Sequence, residues 1–162
     1  LRINPDYRKV YYFYDNRGTA YLMKGDYEKA IADYDQALRI KPSYAMAYHN
    51  RGTAYLYKED LEEAISDFNK ALEINPEYAE TYFNKALACE KIGHPKEAIE
   101  AYRGFIENVL PQHVTYINYA KKRIRELSRW IASEGFSLLV EDCLLILIFP
   151  KPSDLKYDAS DQ

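Results

Sequence analysis

The sequence predicts an all-α fold, a right-handed superhelical solenoid of three helix–turn–helix repeats followed by a C-terminal capping helix. Three observations lead to this prediction. The segment Y-D-N-R-G-T-A-Y at residues 14–21 returns as Y-H-N-R-G-T-A-Y at residues 48–55, an offset of 34. Apolar residues within each repeat follow helical spacing. One amphipathic segment, residues 113–133, follows the last repeat and is suited to cover its apolar face.

The offset divides the chain into repeats at 11–44, 45–78 and 79–112, preceded by residues 1–10 as the remnant of an earlier repeat. In the first helix of each repeat, positions 4, 8 and 11 share one face at about 100° per residue. These predicted core residues are Tyr14, Gly18, Tyr21, Tyr48, Gly52, Tyr55, Tyr82, Ala86 and Cys89. The second helices contribute Ala30, Tyr34, Ala37, Ala64, Phe68 and Ala71. Asp26, Asp60 and His94 stand where a side chain is expected to cap the second helix.

This set of residues resembles the tetratricopeptide repeat, whose pattern places an aromatic residue, Gly or Ala, and Tyr in the first helix, then Ala, an aromatic residue, Ala and Pro. The resemblance covers about residues 1–133. It implies a non-enzymatic interaction scaffold that binds a partner peptide or helix in a concave groove. The third repeat departs from the pattern at Cys89, at Phe105 and at Pro111, which comes one position late, so we expect less regular packing there.

The first helices line the concave face of such a solenoid, and positions 2, 5, 6, 9, 12 and 13 point away from the core. The candidate groove residues are Tyr12, Asp15, Asn16, Thr19, Met23, Met46, His49, Asn50, Thr53, Tyr57, Phe83, Asn84, Leu87 and Lys91, with Leu22, Leu56, Glu80 and Glu90 at the remaining positions. The asparagines at position 6 either bind the backbone of an extended peptide, as in the asparagine ladder of tetratricopeptide arrays attached to protein glycosyltransferases, or hydrogen-bond between neighbouring repeats.

Some members of the family hold the C-terminal carboxylate of heat-shock chaperones with a clamp of Lys, Asn and Arg side chains. Asn50 matches one site of this clamp. The sites that should be basic hold Asp15, Glu80 and Asn84 instead, and Thr19 replaces the first asparagine. Because the charge-assisted hydrogen bonds are lost, the sequence argues against a terminal carboxylate as the ligand.

Catalysis has little support in the sequence. His49 near Asp15 or Glu80 is the one conceivable acid–base arrangement, and no plausible nucleophile accompanies it because Cys89 is a core residue. Neither a metal-ligand spacing nor a phosphate-binding loop occurs. We therefore expect no enzymatic activity, no metal and no cofactor.

The charge and apolar patterns limit the partners. The net charge of −3 does not suit nucleic acid, and no uncharged apolar run of 18 residues is present to span a membrane. Two cysteines cannot build a disulfide framework of the kind found in secreted proteins. We therefore expect a cytoplasmic location.

Residues 134–162 form an apolar segment and a polar tail. The range Phe136–Phe149 is too short and too charged to cross a bilayer, and its spacing suits a helix or a buried strand. It is expected to pack on the capping helix, fill the groove or form a homodimer, and we favour self-association. The alternative functions are therefore a self-assembling scaffold, or a substrate-recruiting regulatory domain of a larger enzyme.

Overall fold

The computed structural model describes residues 9–134, which form seven α-helices and no strand. The helices are α1 (Val10–Met23), α2 (Tyr27–Ile40), α3 (Ala45–Lys58), α4 (Leu61–Ile74), α5 (Ala79–Lys91), α6 (Pro95–Asn108) and α7 (Val114–Glu134). Each helix packs against the next one along the chain, and the first helix of the second repeat, α3, also contacts α1 and α5. The predicted all-α solenoid is confirmed. Most of the predicted repeat remnant and the whole apolar segment lie outside the described residues.

The core of each helix pair contains one fully buried ring from the second helix. Tyr34, Phe68 and Tyr102 occupy the same repeat position and are each 0% exposed. In the first two repeats, a glycine of the first helix makes room for this ring. A Cβ atom at Gly18 would lie 2.8 Å from Cε1 of Tyr34, and one at Gly52 would lie 2.8 Å from Cε1 of Phe68. Such spacing is closer than real Cβ atoms approach, so the helix pairs depend on these glycines.

The turns inside the repeats share one backbone conformation. Gly25, Glu59 and Gly93 follow each other at the repeat offset of 34 and have φ values of 79°, 69° and 81°. This left-handed conformation closes the first helix and is costly for residues that carry a Cβ atom. The second repeat therefore has Glu59 in a left-handed conformation for which the other two repeats have glycine.

The predicted side-chain caps of the second helices are wrong. Asp26, Asp60 and His94 do occupy the N-cap positions, but none of their side chains bonds to the helix backbone. Asp26 accepts a hydrogen bond from Lys29, and Asp60 accepts one from Lys58. The nearby ammonium groups compete for the carboxylates, because a charged donor attracts a carboxylate more strongly than a neutral N–H group.

Ion pairs join the two helices of the first two repeats. Arg17 forms a bidentate pair with Asp33 at 2.6 Å, and Arg51 forms one with Asp67 at 2.7 Å, both over a separation of 16 residues. Arg51 also pairs with Asp35 of the preceding repeat. The planar guanidinium group suits such paired contacts. The third repeat has Lys and Ala at the two corresponding positions, 85 and 101.

Helix α7 covers the apolar face of the third repeat. Ala120 of α7 is fully buried, and Ile124 and Leu127 pack against the core of α5 and α6. The opposite face of α7 is cationic and exposed, with Lys121, Lys122, Arg125 and Arg129. The predicted capping role of this segment matches its packing. Between residues 9 and 134, no helix is both long enough and apolar enough to cross a lipid bilayer.

A buried ion pair anchors α7 to α5. The Nη2 atom of Arg123 lies 2.6 Å from Oε2 of Glu90, and the two side chains are 12% and 3% exposed. Arg123 also pairs with Glu126 in its own helix. The helical spacing predicts Glu90 as a groove residue, whereas the structure buries its carboxylate against Arg123 of α7.

Candidate binding groove

A pocket of about 300 Å³ opens where the second and third repeats meet α7. Its walls come from α3, α5, the end of α6 and the start of α7. The lining residues are His49, Thr53, Leu56, Tyr57, Glu80, Phe83, Asn84, Leu87, Phe105, Val109, His113 and Tyr116. The lining combines several large apolar side chains with a few polar groups, which is the usual composition of a site that anchors a ligand side chain.

Eight of the predicted groove positions line this pocket, namely His49, Thr53, Leu56, Tyr57, Glu80, Phe83, Asn84 and Leu87. The other four lining residues, Phe105, Val109, His113 and Tyr116, were not predicted from the sequence. These four belong to the end of α6, the following turn and the start of α7. The signal that could have found them is the irregularity of the third repeat, where Phe105 replaces the usual Ala and the following proline comes late.

The predicted groove residue Asp15 is buried, not open to a ligand. It is 3% exposed, and its carboxylate accepts hydrogen bonds from Nδ2 of Asn50 at 3.1 Å and from the hydroxyl of Tyr44 at 3.3 Å. Burial raises the pKa of the Asp15 carboxyl above its usual value, and these two hydrogen bonds oppose the rise. The group of three ties α1 to the start of the second repeat.

Asn84 makes the corresponding contact one repeat later. Its Nδ2 atom donates to Oγ1 of Thr53 at 3.2 Å, and the Thr53 hydroxyl donates to the carbonyl oxygen of His49 at 2.9 Å. Asn50 and Asn84 thus both hydrogen-bond to the preceding repeat, as one of the two sequence alternatives proposed. Asn16 lies in the first repeat and is exposed.

His49 forms part of the pocket wall. Its Nδ1 atom and the hydroxyl of the fully buried Thr81 share a hydrogen bond of 2.8 Å, and its ring stacks on Tyr78 with centroids 4.7 Å apart. Burial lowers the pKa of His49 to about 4, so the imidazole is neutral near pH 7. The structure pairs His49 with a hydroxyl group and not with the carboxylate of Asp15.

Some of the remaining predicted groove residues contact other parts of the chain, and others are exposed. Thr19 accepts a hydrogen bond from the hydroxyl of Tyr34 at 3.2 Å, so it belongs to the first helix pair. The Lys91 ammonium lies 3.3 Å from Oε1 of Glu59. Tyr57 stacks on Tyr27 at 5.9 Å. The most exposed apolar members of the predicted groove are Tyr12, Met23 and Met46, at 49%, 85% and 45%.

Comparison with family models gives three overlapping matches. A model described as TPR repeat matches residues 18–59, and two models described as tetratricopeptide repeat match residues 45–78 and 68–100. Together they run from residue 18 to residue 100. The chain belongs to the tetratricopeptide repeat family. A comparison with curated proteins finds no match.

Solved tetratricopeptide repeat domains have the same fold. The Sgt2 domain from Aspergillus fumigatus is 25% identical, with a TM-score of 0.64 over 93% of this chain and 95% of that chain. The OM64 domain from Arabidopsis is 26% identical, with a TM-score of 0.69 over 74% and 98%. The first such domain of Spaghetti (RPAP3), solved with the HSP90 peptide SRMEEVD, is 23% identical, with a TM-score of 0.69 over 76% and 94%.

The pocket carries little charge. Among residues 9–134, Glu80 is the only Asp, Glu, Lys or Arg side chain that lines it, and Glu80 is exposed. No Lys or Arg among residues 9–134 forms an ion pair with it. Over the same range, no group of three or more His, Cys, Asp or Glu side chains is arranged to hold a metal ion.

Proposed function

We propose that this tetratricopeptide repeat chain is a non-enzymatic protein-interaction module whose concave groove binds a segment of a partner protein. The observation that carries the proposal is the pocket of about 300 Å³ at the junction of α3, α5 and α7. The proposed contact residues are His49, Thr53, Tyr57, Phe83, Asn84 and Leu87, with Tyr12, Met23 and Met46 extending the groove towards α1. We propose a cytoplasmic location for this activity.

The walls of the pocket suit one large apolar side chain of the partner. Phe83 and Phe105 are only 8% and 4% exposed, and they form the apolar floor of the pocket. Burying a Leu, Ile or Phe side chain in such a site stabilises a complex by roughly 1.5–3 kcal/mol. Asn84 lies beside this floor and uses Nδ2 to donate to Thr53, so its Oδ1 atom is the group that could accept a hydrogen bond from a peptide N–H at the edge of the pocket.

The chemistry of the nearby side chains supports a binding role over a catalytic one. The neutral His49 is hydrogen-bonded to Thr81, and the Asp15 carboxylate is occupied by Asn50 and Tyr44. Cys89 is fully buried, and burial raises the pKa of its thiol to about 11, so its reactive thiolate form is scarce at neutral pH. The low net charge and the acidic pocket also favour a protein partner over nucleic acid.

A displayed library of random peptides tests the proposal. Peptides selected on the immobilised chain are synthesised with a fluorescent label, and their affinity is measured by anisotropy. We expect Leu87→Arg, in the pocket wall, to weaken binding at least tenfold. Leu72→Arg is the matched control, because Leu72 is also partly buried but lies in α4 outside the pocket. Circular dichroism checks that both variants are folded. Equal affinity for the two variants would place the binding surface elsewhere.

A further inference from the structure

The charge of the pocket, taken together with its apolar floor, indicates which kind of peptide fits. Glu80 lies at the pocket in the first turn of α5, with an exposed carboxylate. No Lys or Arg side chain of residues 9–134 forms an ion pair with this carboxylate. The cation of the predicted groove, Lys91, is already paired with Glu59 at the other end of α5. An unpaired carboxylate beside an apolar pocket favours a cationic neighbour on the ligand.

Three polar side chains of the groove that could receive a negative ligand already have hydrogen-bond partners. The Asn50 amide donates to Asp15, so it is committed to the contact between repeats. The Asn84 amide donates to Thr53 in the same way. His49 is neutral at physiological pH and shares its Nδ1 atom with Thr81. A terminal carboxylate entering this pocket would therefore meet committed amides and the negative charge of Glu80, and no Lys or Arg of residues 9–134 lines the pocket to give it a charge-assisted hydrogen bond.

We infer that the groove binds an internal segment of a partner protein, in which a large apolar residue enters the pocket and a neighbouring Lys or Arg pairs with Glu80. This inference rests on the proposed function and specifies its ligand. It sets the ligand apart from an acidic C-terminal peptide such as SRMEEVD, which the Spaghetti (RPAP3) domain binds with the same fold. The apolar residue supplies affinity, and the cation supplies selectivity against acidic segments.

The sequences selected from the random library give the first test. We expect Lys or Arg to be enriched within two residues of the shared apolar residue, and Asp and Glu to be depleted. Blocking the peptide C-terminus as an amide should leave the affinity unchanged, because an internal segment has no terminal carboxylate. The labelled peptide SQMEEVD, which is SRMEEVD with its cation removed, should not bind the wild-type chain. Selection of acidic peptides, binding of SQMEEVD, or loss of affinity when the C-terminus is blocked would overturn the inference.

Variants of Glu80 give the second test on the same peptides. Glu80→Gln removes the charge with little change of shape and should weaken binding about threefold, and Glu80→Lys should weaken it about tenfold. Glu62→Lys is the matched control, because Glu62 is exposed and is the second residue of α4, as Glu80 is of α5. The control makes the same charge change in the same electrostatic environment of a helix N-terminus, and it should leave the affinity unchanged.

The possible failures are distinguishable. If peptides are selected and depend on Leu87, but bind Glu80→Lys as tightly as the wild-type chain, the inference is wrong and the proposed function stands. If the folded chain selects no peptide, or if the selected peptides ignore Leu87→Arg, the proposed function fails and the inference fails with it.

Discussion

Replacement of Gly52 tests the packing between α3 and α4. A Cβ atom at this position would lie 2.8 Å from Cε1 and 2.9 Å from Cδ1 of Phe68, and 3.2 Å from the carbonyl oxygen of Ala64. The Phe68 ring is fully buried, and the carbonyl group belongs to the helix backbone, so neither neighbour moves cheaply. We therefore expect Gly52→Ala to destabilise the chain although Ala is the better helix former.

Two opposing effects set the size of this change. Ala gains about 1 kcal/mol over Gly in a helix interior. Overpacking a tight core costs about 1–3 kcal/mol, so the net loss for Gly52→Ala is up to about 2 kcal/mol. Gly52→Leu adds more atoms to the same contact and should cost more than Gly52→Ala. In a Phe68→Leu background the ring is gone, and Gly52→Ala should become neutral or stabilising by up to about 1 kcal/mol.

The assay is urea unfolding, followed by the helical circular dichroism signal, of the wild-type chain, both single variants and the Gly52→Ala/Phe68→Leu double variant. Ser66→Ala compared with Ser66→Gly gives the helix-propensity difference alone, because Ser66 is exposed in α4. We expect a coupling free energy of about 1–3 kcal/mol between positions 52 and 68. If the two changes add to within about 0.5 kcal/mol, the contact that the structure shows is not the reason for the glycine.

Four further predictions concern the turn, the pocket wall, the capping helix and the apolar segment. Glu59→Gly should stabilise the chain by about 1 kcal/mol in thermal unfolding, because glycine accepts φ of 69° without strain, whereas Glu59→Ala should not. His49 has a folded pKa of about 4, below its unfolded value of about 6.5, so its stabilising effect is complete above pH 6.5 and decreases as the pH falls towards 4. The unfolding free energy should lose about 2–3 kcal/mol more over that interval in the wild-type chain than in His49→Gln, and equal pH profiles would refute the assignment. Arg123→Met should cost about 3–5 kcal/mol by leaving the Glu90 carboxylate buried and unpaired, and adding Glu90→Gln should recover most of that loss in urea titrations. For the segment outside the described residues, we expect the full chain to self-associate at micromolar concentration and a chain ending at residue 134 to be a monomer; light scattering that finds a monomeric full chain would exclude the assembly role.

The repeat architecture was predictable because it depends on local, periodic contacts. The spacing of Ala30, Tyr34 and Ala37 determines which face of α2 is buried, and all three residues are 0% exposed in the structure. The same spacing predicts the core residues of α4. A helix packs on its chain neighbour through this face, so the period of 34 residues is sufficient to order the helices.

Contacts between repeats were harder to predict. Asn50 and Asp15 are 35 residues apart, and Glu90 and Arg123 are 33 residues apart. From helical spacing alone, both Asp15 and Glu90 are expected on the groove side of their helices. Whether such a side chain meets a ligand or its neighbour depends on the rotation between successive repeats, which the helical period does not specify. The sequence therefore does not specify the partner of each carboxylate.

The position of the pocket follows from the departures of the third repeat. The first two repeats place Ala37 and Ala71 where the third places Phe105. Phe105 is a pocket-lining residue, and the turn lengthened ahead of α7 contributes Val109 and His113 to the same wall. If the first helix of a regular fourth repeat stood in place of α7, it would repeat the contacts that α3 and α5 make. The departures from the repeat pattern thus provide the individual side chains of the pocket, and the regular residues provide the scaffold that holds them in place.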